Sequence, residues 1–219
     1  MGVVNVTPDS FSDGGHYLDP TAAITCGEKM AAEGAGIIDV GGESTRPFSD
    51  PITAEEEIDR VVPVIESLAT RIHQPISIDT MKAAVANRAL AAGAAMINDI
   101  SAMTFDPEMV GVARAWDVPV VLMHMQGTPK TMQSQPIYND VTAEIGAYLL
   151  AAAHRLQAAG VGRRRIILDP GIGFGKTSTH NLLLLKHLQI LTQMGYPLLV
   201  GTSRKSFIRH LVKGDQQPD

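Results

Sequence analysis

The 219 residues include 45% hydrophobic and 19% charged side chains, with a formal net charge of -5. That balance excludes a disordered chain and offers no basic surface for nucleic acid or an anionic membrane. A single cysteine, Cys26, allows no disulfide within these residues, so a reducing, cytoplasmic setting is expected.

In chain order, the first apolar run, Gly2–Asn5, reads as a strand, followed by a helix over about Thr21–Glu33. Cys26 lies in that Ala-rich stretch, where core packing suits it better than nucleophilic work. Strand Gly36–Val40 leads to a helix at Ala54–Arg71, strand Ile76–Asp79 to one at Met81–Ala92, and strand Ala95–Asn98 to one at Pro107–Ala115. Val118–Met123 precedes a helix at Asn139–Ala159, Arg165–Asp169 one at Asn181–Met194, and Leu198–Gly201 one beginning near Ser203. Gly34, Gly93 and Gly160 stand just past three of these helices, where a left-handed cap is needed. The β-branched runs that follow read as buried parallel strands. The N-terminus has no basic segment before an apolar run, and every apolar run is too short to span a bilayer, so neither signal peptide nor membrane anchor is expected.

Alternating β and α segments imply a parallel sheet, open or closed. An open doubly wound sheet gathers its chemistry at one switch point, whereas a barrel brings every strand end to one mouth. Asn5, Asp39, Asp79, Asn98, His124, Asp169 and Ser203 put a polar group at or just beyond nearly every strand. The expected fold is therefore α/β, a (β/α)8 TIM barrel, as one domain over residues 1–219. Only seven strands are read, so the eighth strand and last helix are expected to be lacking.

Four loops hold more Gly and polar residues than closing a barrel requires: Asn5–Gly15, Asp39–Pro47, Asp169–Lys176 and Gly201–Ser206. Loops of this content are more often functional than structural. The Gly171–Thr177 segment ends like a nucleotide-binding P-loop, but the first glycine of that motif falls on Pro170, and no full G-x-G-x-x-G is present. Both nucleotide readings are rejected. The seven histidines show no zinc-binding spacing. No Ser-His-Asp or Cys-His set is convincing, and His124 reads as structural or supporting.

Together with Ser77-Ile78-Asp79-Thr80, Ile97-Asn98-Asp99 and Met123-His124-Met125-Gln126-Gly127, these loops resemble the dihydropteroate synthase family from Val3 to about Leu211. The resemblance implies a transferase that condenses 6-hydroxymethyl-7,8-dihydropterin diphosphate with 4-aminobenzoate to 7,8-dihydropteroate and diphosphate, in folate biosynthesis. It implies Mg2+ as cofactor, sulfonamides as competitors of aminobenzoate, small-molecule partners only, and a homodimer for the full-length form.

The resemblance also distributes roles. Asp79, Asn98 and Asp169 match pterin-binding positions, and a carboxylate's two oxygens suit the amino group and neighbouring ring N–H of a pterin. Lys205 matches a pterin-contacting lysine whose charge also helps to hold the leaving diphosphate. Arg204 and Ser206 would receive the aminobenzoate carboxylate, Ser206 at a helix start that favours anions, although a plain N-cap role is compatible. Asn5 corresponds to the Mg2+ contact, and Thr45 and Arg46 lie near diphosphate and aminobenzoate. Pro47 and Phe174 supply apolar walls, while Phe11 and Asp13 belong to a first loop that closes over the site with the second, Gly41–Ile52. Asp13, Arg46 and Lys205 are the expected catalytic set.

The family pattern continues into an eighth strand with a diphosphate-binding Arg-x-His pair that these residues lack. The 219 residues alone are therefore expected to be weakly active or inactive. A pterin-binding methyltransferase and a non-catalytic pterin-binding fragment are the competing readings. The first would have no need of the TPDSFSDGG or SRKS segments.

Overall fold

The structure, a computed structural model, describes residues 1–7, 20–45, 49–205 and 207–208. Six strands, β1 (Gly2–Asn5), β2 (Ile38–Gly41), β3 (Ile76–Asp79), β4 (Met96–Asp99), β5 (Val120–Met123) and β6 (Ile166–Asp169), lie side by side in chain order. Every pairing is parallel. Helices α1 (Pro20–Ala32), α2 (Ala54–Arg71), α3 (Ala83–Ala91), α4 (Met109–Trp116), α5 (Val141–Ala158), α6 (Ser178–Lys186) and α7 (Leu188–Thr192) follow the strands. A strand order that never reverses has no switch point; it is the winding of a (β/α)8 barrel.

Side chains alternate between the two faces of a strand, so register decides what faces inward. Val4, Val40, Ile78 and Ile97 fall on the outer face, toward the helices, and all are fully buried. They meet Val61, Ile65 and Leu68 of α2 and Val85 and Ala89 of α3 in one core. α2 starts where Thr53 Oγ1 accepts from Glu56 N at 3.1 Å, and Glu55, Glu56 and Glu57 add negative charge to its first turn. α5 starts at Asp140, whose carboxylate accepts from Thr142 N and Ala143 N. Gly34, Gly93 and Gly160 take φ values of 98°, 114° and 93°, the left-handed caps expected of them.

Two expectations are corrected. The Leu198–Gly201 run pairs at Leu198 alone, bridging to Leu168. Leu168 N donates to Pro197 O and Leu199 N to Leu168 O, both at 2.9 Å. The next β6 residue on that side is Pro170, which has no N–H, so the ladder stops. The helix expected at Asn181–Met194 instead begins at Ser178 and breaks at His187. Its early start follows from a capping box in which Thr177 Oγ1 accepts from His180 N and His180 Nδ1 accepts from Thr177 N. The helix expected from Ser203 lies mostly outside the described residues.

On the outside, Trp116 at the C-terminal end of α4 donates from Nε1 to Asn87 Oδ1 of α3 at 2.8 Å. Among the described residues no helix is long and apolar enough to cross a membrane.

Candidate active site

The inner face collects the polar strand ends. Asn5, Gly41, Asp79 and Asn98 share one row of the register, and Asp169 pairs with Met123. Asp39 and Ser77 form the inward row below. Asp79, Asn98 and Asp169, expected to converge, therefore stand on one face at the C-terminal mouth. Asp99, next to Asn98, points outward. Its carboxylate accepts from Ser101 N at 2.7 Å, Ser101 Oγ at 2.6 Å and Met103 N at 3.2 Å. It thereby holds the β4 exit loop, in which Ala102 and Met103 have φ of 52° and 58°.

Asn98 is oriented by a residue missing from the expected site. Its Nδ2 donates to Asp39 Oδ2 at 3.1 Å, which leaves one N–H and the carbonyl oxygen for a ligand. Asp39 is itself buried, and among the described residues neither its Oδ1 nor Ser77 Oγ makes a hydrogen bond. Burial raises Asp39 to about 6, partly offset by Ser77 and Asn98. Asp79 is driven well above the usual carboxylate range by burial, then by the charges of Asp39, Glu57, Asp99 and Glu43. Burial also lifts Asp169 to about 6, against a hydrogen bond from Gly171 N at 2.7 Å and the cations Lys205 and Lys176.

The loop after β6 forms a wall of the mouth. Lys205 Nζ sits 4.3 Å from the centroid of the Phe174 ring, joining two expected site residues in a cation–π contact. Burial lowers the Lys205 pKa, and Asp169 opposes the shift. Lys176, beyond Phe174, is 3% exposed. Its Nζ lies 2.8 Å from Phe174 O, 3.1 Å from His124 Nδ1 and 3.3 Å from His124 O. Burial brings Lys176 down to about 7 and His124, with Lys176 beside it, down to about 3. The lysine that mimics a P-loop is thus turned into the protein. His124 also packs edge-on against Tyr148, with ring centroids 4.9 Å apart.

The loop after β2 carries Thr45, which lines a small cavity with Glu43, Glu57, Asp79 and Thr80. Beneath it, Lys82 Nζ donates to Glu57 Oε2 at 2.6 Å and to Glu43 Oε2. Arg60 adds a hydrogen bond to Gly42 O at 2.9 Å. Burial pulls Lys82 down, but its bonds to Glu43 and Glu57 lift it above the ordinary lysine range; Glu57 rises because burial outweighs Lys82. The buried Glu57, at 1% exposure, decides the balance: the pair adds little net stability, yet losing its cation strands a charge. Replacing Lys82 with methionine is expected to destabilise the fold by about 3–5 kcal/mol in urea titration. Adding Glu57→Leu should restore much of that loss.

Asn5 is exposed at the end of β1, and Arg204 is exposed with φ 58°. Asp13, Arg46, Pro47 and Ser206, together with Phe11, lie outside the described residues. Among the described residues no group of three or more His, Cys, Asp or Glu could hold a metal. Asp39, Lys82 and Lys176 are the supporting residues that motif reading missed. Only the apolar surroundings of Lys176 in the Gly-rich loop gave any hint of a buried cation.

A family profile for pterin-binding enzymes matches residues 1–219. The chain is 47% identical over 219 residues to a dihydropteroate synthase of Synechocystis, covering 100% of this chain and 75% of that protein. It superposes on a Xanthomonas albilineans dihydropteroate synthase holding 4-aminobenzoic acid with a TM-score of 0.90 and 45% identity, over 100% of this chain and 77% of that one. Against that enzyme in complex with 7,8-dihydropteroate the TM-score is 0.86 and the identity 43%, with the same coverage.

Proposed function

The chain belongs to the pterin-binding enzymes and, among them, to the dihydropteroate synthases, and on that premise we propose that the cluster Asp79, Asn98, Asp169 and Lys205 holds the dihydropterin ring. The reaction is the family's: the pterinylmethyl group passes from diphosphate to the amine of 4-aminobenzoate. The observation that carries the site assignment is the placement of Asp79, Asn98 and Asp169 on one inward face.

The chemistry needs no protein nucleophile. The bond between the exocyclic methylene and the diphosphate oxygen breaks, the pterin ring spreads the positive charge, and the aromatic amine forms the new C–N bond and loses a proton. Asp79 and Asp169 accept from ring donors, and Asn98 accepts and donates beside them. Phe174 covers an apolar face of the site, and Lys205 above it brings positive charge to the leaving diphosphate. Orientation, exclusion of water and neutralisation of the leaving group supply the acceleration.

We place Thr45, Arg46, Pro47, Arg204 and Ser206 around the diphosphate and aminobenzoate, and Asp13 in the covering loop. Asn5 fits Mg2+, which takes one or two protein oxygens and keeps its remaining places for water and phosphate. When bound, the ion would neutralise charge on the departing diphosphate. The lone cysteine supports a cytoplasmic setting.

With Mg2+, the pterin diphosphate at about 100 times its Kd should raise the melting temperature by roughly 5–10 °C. Any diphosphate released should depend on 4-aminobenzoate. A folded chain that the pterin diphosphate does not stabilise, and that releases no diphosphate, would overturn the assignment.

A further inference from the structure

We infer that Lys176 is a positioning residue, the fixed counter-charge that keeps Asp169 an acceptor for the pterin ring. The inference rests on the assignment of Asp169 to the pterin. An ammonium has three N–H groups, and Lys176 Nζ has three neighbours able to accept: Phe174 O, His124 O and His124 Nδ1. All three are satisfied when the neutral His124 carries its proton on Nε2. No N–H is left for a substrate, so Lys176 acts through other groups.

The charges facing Asp169 are Lys205 and Lys176, both lowering its pKa, and Asp39, raising it. Among the described residues Lys176 makes no ion pair, but it sits beside Asp169: His124 N donates to Asp169 O at 2.9 Å while His124 O and Nδ1 hold Lys176 Nζ. Asp169 in turn favours the charged lysine, while Lys205 opposes it. The two cations differ in freedom. Lys205 rests on a ring face and serves the leaving group, so its field at Asp169 changes during turnover. Lys176 is fixed between two elements, through Phe174 O in the β6 loop and through His124 at the exit of β5. Below about pH 7, where Lys176 is charged, its positive charge therefore stays in place when Lys205 turns to the diphosphate.

The test is the carboxyl titration of Asp169 by carbon-13 NMR in the ligand-free chain, for wild type, Lys176→Met and Lys176→Arg. In Lys176→Met the midpoint should rise by about one pH unit, a tenfold change, and return toward wild type in Lys176→Arg. Pterin affinity in Lys176→Met should then fall about threefold near pH 6.5 and hardly at all near pH 8.5. An unmoved midpoint with equal affinity loss at both pH values would show that Lys176 only shapes the loop, and would overturn the inference, as would no effect at all. If Lys176→Met does not fold, Lys176→Gln removes the same charge and carries the same test. Wild-type protein that binds no pterin would refute the site assignment, while the midpoint would still decide the coupling between Lys176 and Asp169.

Discussion

Asp79→Asn is expected to weaken pterin binding by about two orders of magnitude and to abolish the proton release that accompanies binding. Among the described residues Asp79 has no hydrogen-bond partner, and only burial and neighbouring charges act on its carboxylate, whose oxygens face the mouth for a ligand. Burial and the charges of Asp39, Glu57, Asp99 and Glu43 favour its protonated form before the ligand arrives. Ring donors need the carboxylate, so a group with a raised pKa must give up its proton as the pterin binds. Affinity should therefore climb with pH until Asp79 is ionised in the free chain, and binding at neutral pH should release up to about one proton. Calorimetry in buffers of different ionisation enthalpy counts that proton directly. An asparagine keeps one acceptor and points an N–H at the other ring donor, which removes a charge-assisted bond and adds a clash of donors. A wild-type affinity in Asp79→Asn would exclude this residue from the pterin site.

Gly171→Ala should be the most damaging single methyl group in the described chain, destabilising it by more than about 4 kcal/mol. A Cβ built there would stand 2.0 Å from His124 O, a backbone atom that cannot step aside, and the residue has φ of 67°. Relieving that overlap would separate the loop from the β5 exit. It would move the Gly171 N–H away from Asp169 and disturb the three contacts of Lys176. Gly34 supplies the control. Its φ is 98°, yet no atom lies within 4 Å of the added Cβ, so Gly34→Ala should cost only the left-handed backbone penalty of about 1–2 kcal/mol. Urea denaturation of the two variants separates overlap from backbone preference. Equal losses would show that the loop yields.

The strands were legible because apolar runs a few residues long stand between Gly-capped helices and polar ends. β1 and β3 match the expected bounds, β5 and β6 start two residues and one residue later than expected, and β2 and β4 are displaced by one or two residues at both ends. The seventh run was over-read, since Leu198, Leu199 and Val200 look like any buried strand; the missing N–H that ends its pairing belongs to Pro170, on the neighbouring strand. Asp79, Asn98 and Asp169 were legible as polar residues closing apolar strands, and the family resemblance set them apart from the other polar strand ends; register sends them to one face. Lys176 and Lys82 were not. Their partners lie 52 positions away at His124 and 39 and 25 away at Glu43 and Glu57, and no local pattern records such distances. Asp39 was read as a strand end but missed as the group that turns the Asn98 amide, a relation that spans 59 residues.

The chain's one tryptophan, Trp116, closes α4 at the end of the barrel opposite the mouth, joined to Asn87 on the outer layer. Its emission will therefore report loss of the α3–α4 contact during unfolding and stay silent when substrates enter. A titration followed by intrinsic tryptophan fluorescence would look like an absence of binding. The same silence makes Trp116 a clean optical gauge of stability for the variants proposed above, with or without ligand bound.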